Sequence, residues 1–393
     1  MPHYKYLIIG GGMTADAAAR SIRDEDSSGE IAIISRETDK PYDRPPLTKG
    51  LWKDKLVDDI WRHTEKTGAE FHLGRKIQKI EPREKKVTDD RQTVFTYEKL
   101  LLATGGRPRR LNFGDGQIIY YRTLADYRRL RALTEKHKRF VVIGNGFIGS
   151  EIAAALAMNQ GEVIMLFPGR RICEKMFTHE LSQFITDYYV EKGVEIMSGE
   201  TATGLEVRHG ELFLKTAARR EVLTAAVVAG IGIEPNVELA RAAGLTVEDG
   251  IVVNEFLQTS DPDIYAAGDA ASFYNPTLKQ QMRVEHEDNA NTMGRIVGLN
   301  MAGKPEPYHH LPFFYSDLFD FGYEAVGELD SRLETVADWK TPMREGVIYY
   351  LKEKRIRGVL LWNIFGQVDA ARALLDQSVS YEPDELKGLL PVG

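Results

Sequence analysis

Tyr6–Ile22 reads YLIIGGGMTADAAARSI, an apolar run followed by three glycines and an alanine-rich stretch. The apolar run predicts a buried strand, and the small residues after it predict a helix packed closely against a sheet. Gly10, Gly12 and Ala15 form the pattern G-x-G-x-x-A, in which the first residue allows a tight turn, the second admits a pyrophosphate and the third lets helix and strand approach. The next predicted strand runs to Glu37, an acid placed to accept a hydrogen bond from a ribose hydroxyl. The stretch therefore predicts a dinucleotide-binding βαβ unit, although a glycine turn between a strand and a helix is sometimes only structural.

The same pattern returns at Val141–Leu156, which reads VVIGNGFIGSEIAAAL. Gly144, Gly146 and Gly149 repeat the turn, and the following predicted strand ends at Phe167. Two such units predict two bound dinucleotides. In a flavoprotein the natural pair is FAD, as the resident redox cofactor, and a nicotinamide nucleotide, NADH or NADPH, as its reductant.

The order of the predicted elements indicates an α/β protein in which one nucleotide-binding domain is inserted into another. A buried strand in KLLLATGGRPRRL leads out of the first domain, and AAVVAGIGIEPN leads back. Further on, aromatic alternation in LPFFYSDLFDFGYEAVGEL and GVIYYLKEKRIRGVLLWNIF predicts antiparallel strands of a third, α+β domain. We therefore divide the chain into an FAD-binding domain at residues 1–111 and 236–305, an inserted NAD(P)H-binding domain at 112–235 and a C-terminal domain at 306–393.

Composition narrows the choice of partners. The 393 residues carry a formal net charge of −7, which argues against nucleic acid because phosphate backbones are bound by clustered basic residues. No apolar run approaches the roughly 18 residues that a membrane span requires. The first strand begins within a few residues of Met1, so we expect no signal or transit peptide and a cytoplasmic location. Cys173 is the only cysteine, which excludes an internal disulfide and a two-cysteine redox couple.

Four motifs, PYDRPPLTK, ATGGRP, GNGFIGSE and TSDPDIYAAGD, resemble those of the FAD-dependent pyridine nucleotide reductases, in the branch of bacterial ferredoxin and rubredoxin reductases. Three later stretches, RVEHEDNA, FFYSDLFDFGYEAVG and GVIYYLKEKRIRGVLLWNIF, are more similar still to the mitochondrial apoptosis-inducing factors. The resemblance covers most of the chain. It implies two Rossmann-like domains of the glutathione-reductase-like type, a C-terminal α+β domain, bound FAD and a nicotinamide nucleotide as electron donor.

The resemblance also implies which residues bind FAD. Arg44 and Lys49, in the loop after the second strand, would contact the flavin, where the Lys49 ammonium can stabilise the negative charge of the reduced ring. Asp269 would hold the ribityl chain, and Glu285 and His286 would sit at the flavin and nicotinamide ends. A solvated loop lysine, a helix-capping aspartate and a hydrogen-bonded histidine are the alternatives. The full implied FAD set is Gly10, Gly12, Ala15, Glu37, Arg44, Lys49, Thr104, Gly105, Asp269, Glu285 and His286.

The second nucleotide site follows from the same resemblance. Glu151 would pair with Lys49 and fix its position, and Phe147 would lie where the nicotinamide ring reaches the flavin. A charge that stabilises the helix start and plain packing of the helix are the alternatives. These three residues and His286 form the predicted catalytic group. The implied nucleotide-binding set is Gly144, Gly146, Phe147, Ile148, Gly149, Glu151, Arg170, Arg171 and Gly232.

Two positions depart from the family pattern. Phe167 stands where an acid would bind the ribose of the nicotinamide nucleotide, and Arg170 and Arg171 follow it. The loss of an acid and the gain of two arginines favour the 2′-phosphate of NADPH. Two surface arginines, with NADH held by other contacts, are the alternative. Tyr315 stands where the family usually has tryptophan, so an aromatic wall over the flavin remains while its stacking changes.

Electrons must leave the flavin directly. Residues 1 to 120 contain no cysteine, so the thiol relay of related disulfide reductases is impossible, and we expect Cys173 to be structural. The predicted reaction is hydride transfer from nicotinamide to flavin, followed by electron transfer to a ferredoxin- or rubredoxin-type protein, a quinone or oxygen. The alternative is a redox sensor or scaffold of the apoptosis-inducing-factor kind, which forms a long-lived charge-transfer complex of reduced flavin with NAD and becomes a homodimer on reduction.

Overall fold

Most of the chain consists of short strands joined by a few helices. The structure, a computed structural model, describes residues 1–377 and 379–391. In chain order, the strands of this part are β1 His3–Ile9, β2 Ile31–Ser35, β3 Glu70–Leu73, β4 Ile77–Glu81, β5 Lys86–Asp89, β6 Val94–Leu102, β7 Gly106–Pro108, β8 Ile118–Tyr120, β9 Arg139–Ile143, β10 Glu162–Phe167, β11 Glu195–Ser198, β12 Ala202–Arg208, β13 Glu211–Thr216, β14 Glu221–Thr224, β15 Ala226–Ala229, β16 Ile233–Pro235, β17 Val247–Glu248, β18 Gly250–Val252, β19 Ile264–Ala266, β20 Ala271–Asn275, β21 Gln280–Met282, β22 Phe313–Leu318, β23 Phe321–Gly327, β24 Glu334–Thr341, β25 Glu345–Lys352 and β26 Arg355–Trp362.

The helices of the same part are fewer and most follow a strand. The α-helices are α1 Met13–Glu25, α2 Leu124–Thr134, α3 Phe147–Met158, α4 His179–Glu191, α5 Glu238–Ala242, α6 Glu287–Met301 and α7 Val368–Asp376. Short 3-10 turns lie at Pro45–Leu47, Gly50–Trp52, Val57–Ile60, Thr64–Thr67, Pro82–Glu84, Gly268–Ala270 and Pro383–Leu386.

The chain divides into two compact units, each assembled from separate segments. Unit 1 comprises Met1–Arg44, Leu56–Arg107 and Glu234–Pro312. Unit 2 comprises Pro45–Lys55, Pro108–Ile233 and Phe313–Gly393. Unit 2 therefore contains most of the predicted inserted domain together with most of the predicted C-terminal domain. The finer division into three domains remains a prediction.

The main sheet of unit 1 is largely parallel. Its order is β3-β2-β1-β6, with β19 also parallel to β6, and β5 and β4 continue it in antiparallel fashion. Such strands are covered on both faces, which explains the uninterrupted apolar run of β1. Strand β19 follows residues 108–233 in the chain, whereas β1 and β6 precede them. One sheet is therefore built from the segments before and after residues 108–233.

The small residues of α1 were expected to pack on the sheet. They also contact helix α6, and this contact was not predicted from the sequence. A β-carbon on Gly294 or Gly298 of α6 would lie 2.6 Å from the carbonyl oxygen of Thr14 or Ala18, respectively. The two helices thus approach so closely that only glycine fits at these points, and this contact fixes the start of α1 beside the glycine turn.

Unit 2 contains a second parallel sheet and an antiparallel sheet. The parallel order is β11-β10-β9-β15-β8, and α3 follows β9 directly. Strands β12-β13-β14 form a small antiparallel meander, and β22-β23-β26-β25-β24 form the antiparallel C-terminal sheet. Strand β24 was not among the strands predicted from the sequence, and it pairs with β25 in antiparallel fashion.

The segment Pro45–Lys55 belongs to unit 2, although it lies within the predicted range 1–111. Polar contacts to backbone hold it there. The Tyr127 hydroxyl donates to the Leu51 carbonyl at 3.0 Å, and the Asn159 side-chain amide donates to the Trp52 carbonyl at 3.0 Å. Lys49 is carried by this segment, so its position is set by unit 2.

Candidate functional site

The first glycine turn of unit 1 lies between β1 and α1. Gly10 has a φ of 121°, and a β-carbon there would lie 2.0 Å from the Ala103 carbonyl oxygen. Gly12 precedes α1 and faces open space: a β-carbon on it would meet only the Arg44 guanidinium, at 4.0 Å. The first glycine is thus required by the backbone, and the second leaves room beside the helix N-terminus and a cation. This arrangement fits a pyrophosphate.

Arg44 lies between the turn and the predicted ribose acid. Its guanidinium forms an ion pair with Glu37, and the Tyr42 hydroxyl donates to the same carboxylate at 2.7 Å. Burial opposes the charged form of Arg44, but Glu37, with help from Tyr42 and Asp269, outweighs it and raises the pKa of Arg44 above its usual value. The structure therefore brings Gly12, Glu37, Arg44 and Asp269 of the predicted FAD set into one region of unit 1.

Glu285 and His286 lie at the start of α6 in the same unit. The Glu285 carboxylate pairs with Arg283 at 2.5 Å, and Arg283 also donates to the backbone carbonyl of Asp269 at 3.2 Å. His286 is the residue immediately before α6, and its carbonyl accepts from the Ala290 N–H at 3.0 Å. The backbone at His286 thus begins the helix, and its predicted role toward the nicotinamide remains a prediction.

Thr104 and Gly105 lie just before the point where the chain leaves unit 1. The Thr104 hydroxyl donates to the Asn236 carbonyl at 2.8 Å, and the Asn236 side-chain amide donates back to the Thr104 carbonyl at 2.8 Å. The Asn236 N–H donates to the Gly105 carbonyl at 2.9 Å. These bonds tie the departing segment to the returning one beside the turn at Gly10.

The second glycine turn repeats this geometry inside unit 2. Gly144 has a φ of 117°, and a β-carbon there would lie 2.3 Å from the Gly230 carbonyl oxygen. Gly149 packs on the first glycine in turn, with a β-carbon position 2.2 Å from the Gly144 carbonyl oxygen. A β-carbon on Gly146 would meet nothing within 4 Å. The open side again lies at the N-terminus of a helix, α3, where Phe147 and Ile148 form the first turn.

Gly232 follows β15 and is hydrogen-bonded to the segment that follows β7. Its carbonyl accepts from the Arg109 N–H at 2.9 Å, and its φ is 96°. The left-handed backbone explains why glycine is found at this position. Its predicted contact with the nucleotide remains a prediction.

A buried charge cluster lies in unit 2, on the first turns of α3. The Lys49 ammonium is 2.7 Å from the Glu151 carboxylate, and the two side chains are only 12% and 4% exposed. The Thr48 hydroxyl donates to the other carboxylate oxygen at 2.5 Å, and the Ser316 hydroxyl donates to the first at 2.5 Å. Three donors therefore converge on one buried acid. The burial of Lys49 and its ion pair exclude the solvated-lysine interpretation.

Aromatic rings surround this cluster within the same unit. The Lys49 ammonium lies 5.2 Å from the centre of the Tyr315 ring, a cation–π distance. The Phe147 ring meets Phe314 edge to face at 5.4 Å between centres. Strand β22 thus contributes Phe314, Tyr315 and Ser316 in sequence, and the structure joins three of the four predicted catalytic residues, Phe147, Lys49 and Glu151, in unit 2.

Cys173 follows the turn after β10 and is buried. Burial raises the pKa of its thiol to about 12. Its backbone N–H donates to the Asn145 carbonyl at 2.8 Å, beside the second glycine turn. A neutral, enclosed thiol is a poor nucleophile, which supports the expected structural role.

The burial of Cys173 predicts its reactivity. At pH 8 the native protein should react with Ellman's reagent on the order of 1,000-fold more slowly than a free thiol, since each pKa unit lowers the thiolate fraction tenfold. Unfolding in guanidinium should release one reactive thiol per chain. Rapid labelling of the native protein, with activity lost in parallel, would return the cysteine to the list of functional groups.

Arg170 and Arg171 lie in the turn after β10, where Arg170 is exposed and Arg171 half-buried. Their backbone N–H groups donate to the Glu174 carboxylate at 2.9 and 3.3 Å. Sequence reasoning missed Glu174, as it missed Thr48 and Ser316. Thr48 and Ser316 are next to predicted residues in PLTK and FYSD, but only the folded structure shows that both hydroxyls donate to Glu151.

The matched family covers most of the chain. The model described as pyridine nucleotide-disulphide oxidoreductase matches residues 4–294. The chain belongs to this family. A second model, described as the C-terminal part of mitochondrion-associated apoptosis-inducing factor, matches residues 297–345 and 340–377. The predicted relationship to pyridine nucleotide reductases and to apoptosis-inducing factor is thereby confirmed.

Individual relatives of this oxidoreductase fall in both predicted branches. The chain is 35% identical to mitochondrial apoptosis-inducing factor 1 of Dictyostelium discoideum over 95% of this chain and 78% of the relative. It is 30% identical to the ferredoxin–NAD(+) reductase component of the anthranilate 1,2-dioxygenase system of Burkholderia cepacia, over 97% and 96%. The structure of the covalent putidaredoxin reductase–putidaredoxin complex matches with a TM-score of 0.91 at 28% identity, covering 98% of this chain and 96% of that one.

These findings confirm the predicted fold class, enzyme class and cofactors. The chain is an oxidoreductase that uses FAD and a nicotinamide nucleotide. The two glycine turns, one in each unit, are the places where its residues fit the two dinucleotides. Among the helices in the described part of the chain, none has the length and apolar character needed to cross a membrane.

Proposed function

We propose that this oxidoreductase passes electrons from NAD(P)H through FAD to a ferredoxin-type iron–sulfur protein. Support comes from the Burkholderia cepacia relative, a ferredoxin–NAD(+) reductase component that this chain covers almost completely. The matched putidaredoxin reductase structure was solved as a complex with putidaredoxin. Rubredoxin-type proteins, quinones and oxygen are the other predicted acceptors.

The observation that carries the proposal is the lack of any usable thiol. Disulfide reductases of this superfamily need a cysteine pair, whereas the sequence has one cysteine. That cysteine is buried, and its raised pKa keeps it neutral. Electrons cannot reach an acceptor through sulfur, so the acceptor must take them from the flavin itself.

Within unit 2, the buried cluster gives Lys49 a fixed position. Glu151 pairs with the ammonium, and the Thr48 and Ser316 hydroxyls fix the carboxylate. Bound FAD supplies the chemistry, since it accepts a hydride and releases electrons one at a time. As part of the proposal, Lys49 stabilises the negative charge that reduction places on the flavin.

The acceptor is tested by supplying NADH and a plant-type or putidaredoxin-type [2Fe–2S] ferredoxin under nitrogen. The iron–sulfur protein should be reduced at least about 10-fold faster than oxygen or a soluble quinone is reduced by the same enzyme. Cys173→Ala should support the same rate, because the thiol takes no part. Equal rates with all acceptors would contradict a dedicated carrier.

A redox-sensing role is the second candidate function. It is favoured by the match of residues 297–345 and 340–377 to the C-terminal part of apoptosis-inducing factor and by the Dictyostelium discoideum relative. A sensor should keep a long-wavelength absorbance band for minutes in air after NADH is added. It should also change from monomer to dimer in light scattering. Immediate reoxidation with no change of mass would exclude this role.

A cytoplasmic location also remains part of the proposal. It rests on the expectation from the sequence, and the Dictyostelium discoideum relative is described as mitochondrial. Fractionation of the native cells, with an antibody against the chain, tests it.

A further inference from the structure

The turn after β10 contains an acid in an unexpected position. Glu174 folds back so that its carboxylate accepts from the N–H groups of Arg170 and Arg171. A β-carbon on Gly169 would lie 1.9 Å from a Glu174 carboxylate oxygen. The carboxylate thus fills the space that a side chain at position 169 would occupy, and glycine at 169 is what admits it.

This turn adjoins the second glycine turn. Strands β9 and β10 are parallel neighbours, so their carboxyl ends lie side by side. The Asn145 side-chain amide donates to the Arg171 carbonyl at 2.6 Å, and the Cys173 N–H donates to the Asn145 carbonyl at 2.8 Å. In a dinucleotide-binding βαβ unit, the end of the second strand is where the adenosine ribose is recognised.

The position of the carboxylate changes the expected nucleotide preference. Phe167 leaves the strand end without an acid, and Arg170 and Arg171 favoured a 2′-phosphate on the sequence alone. In the structure, the backbone donors of both arginines are occupied by Glu174, which places a negative charge at the same turn. A ribose 2′-hydroxyl can donate to that carboxylate, whereas a phosphate is repelled by it.

We propose that Glu174 replaces the missing strand-end acid and makes the second site select NAD(H) over NADP(H). The inference rests on the proposed function, because it concerns the electron donor of that reaction. Gly169 is also needed for this selectivity, since any side chain at position 169 displaces the Glu174 carboxylate. Arg171 is the cation that a 2′-phosphate would have to bind, in competition with the Glu174 carboxylate. Its Nε is buried and has no hydrogen-bond partner among the described residues.

The test is calorimetric binding of NAD⁺ and of NADP⁺ to the FAD-loaded full chain. The wild type should bind NAD⁺ about 100-fold more tightly than NADP⁺, because a like charge at the ribose costs several kcal/mol and 1.4 kcal/mol is tenfold. Glu174→Gln should reduce the ratio to about 10-fold or less, mainly by tightening NADP⁺. A wild type that prefers NADP⁺, or a ratio unchanged in Glu174→Gln, overturns the proposal.

Two further variants make the result decisive. Gly169→Ala displaces the carboxylate without removing it, and it should reduce the ratio in the same direction. Glu180→Gln removes an exposed acid at the start of α4 and should leave the ratio unchanged. If Glu174→Gln does not fold, Gly169→Ala alone decides the matter. Failure of the proposed function looks different: neither nucleotide binds, or NADH binds and the flavin stays oxidised.

Discussion

Replacing Glu151 by alanine is expected to slow the reduction of bound FAD by NADH about 100-fold, the usual effect of losing one preorganised electrostatic group. The same change should lower the free energy of unfolding by about 3 kcal/mol, because it leaves the Lys49 ammonium buried without its carboxylate. Stopped-flow absorbance measures the first effect, and denaturant unfolding of the FAD-loaded protein measures the second.

A double variant separates charge from stability. Lys49→Met with Glu151→Gln removes both charges and keeps a carbonyl that can accept from one of the Thr48 and Ser316 hydroxyls, while the amide N–H can donate to the other hydroxyl oxygen. Stability should recover to within about 1 kcal/mol of the wild type, because a buried ion pair is often replaced by neutral groups at little cost. Flavin reduction should stay slow, since Lys49→Met removes the ammonium itself. Full recovery of the rate would show that the cluster is only structural.

Gly146→Ala is expected to abolish most of the affinity for the nicotinamide nucleotide while the protein keeps its FAD. The new methyl meets nothing within 4 Å in the protein, so the fold tolerates it. It enters the space beside the start of α3 where the pyrophosphate would approach the backbone. Loss of one or two charge-assisted hydrogen bonds predicts binding weaker by about 100-fold. The NADH concentration dependence of flavin reduction measures the change.

Two other glycines of unit 2 serve as controls for that variant. Gly204→Ala adds a methyl that only reaches ordinary contact with Lys215 at 3.8 Å, and it should leave nucleotide affinity unchanged. Gly144→Ala should instead unfold or strongly destabilise unit 2, because the methyl meets a carbonyl oxygen at 2.3 Å and φ is 117°. Normal affinity in Gly146→Ala would place the pyrophosphate elsewhere.

The glycine turns were predictable because their causes are local. A tight turn between a strand and a helix needs a left-handed glycine, as at Gly10 and Gly144, and the pyrophosphate needs an unobstructed second glycine. Both requirements fall within a few residues, so they leave a sequence pattern. The end of strand β10 at Phe167 was also predicted, since an apolar run marks it clearly.

The other parts of the site depend on contacts between distant segments. Ser316 reaches Glu151 only because β22 packs against the start of α3, and no spacing in the sequence encodes this. Glu174 was missed because the usual acid lies at the end of the second strand. Glu174 lies in the turn after β10 instead, and its carboxylate folds back to accept from the Arg170 N–H. The preference for NADPH suggested by Arg170 and Arg171 stays a prediction, since side-chain direction in a turn is not readable from composition.

Reduction of the flavin by the nicotinamide nucleotide is tested by an anaerobic titration of the FAD-loaded protein with NADH, followed by flavin absorbance. Because the sequence has no cysteine pair to take up a second pair of electrons, one equivalent of NADH should bleach the flavin completely. Cys173→Ala should give the same end point. A requirement for two equivalents would reveal a second redox centre, and no bleaching at all would contradict the central claim that nicotinamide reduces the flavin of this protein.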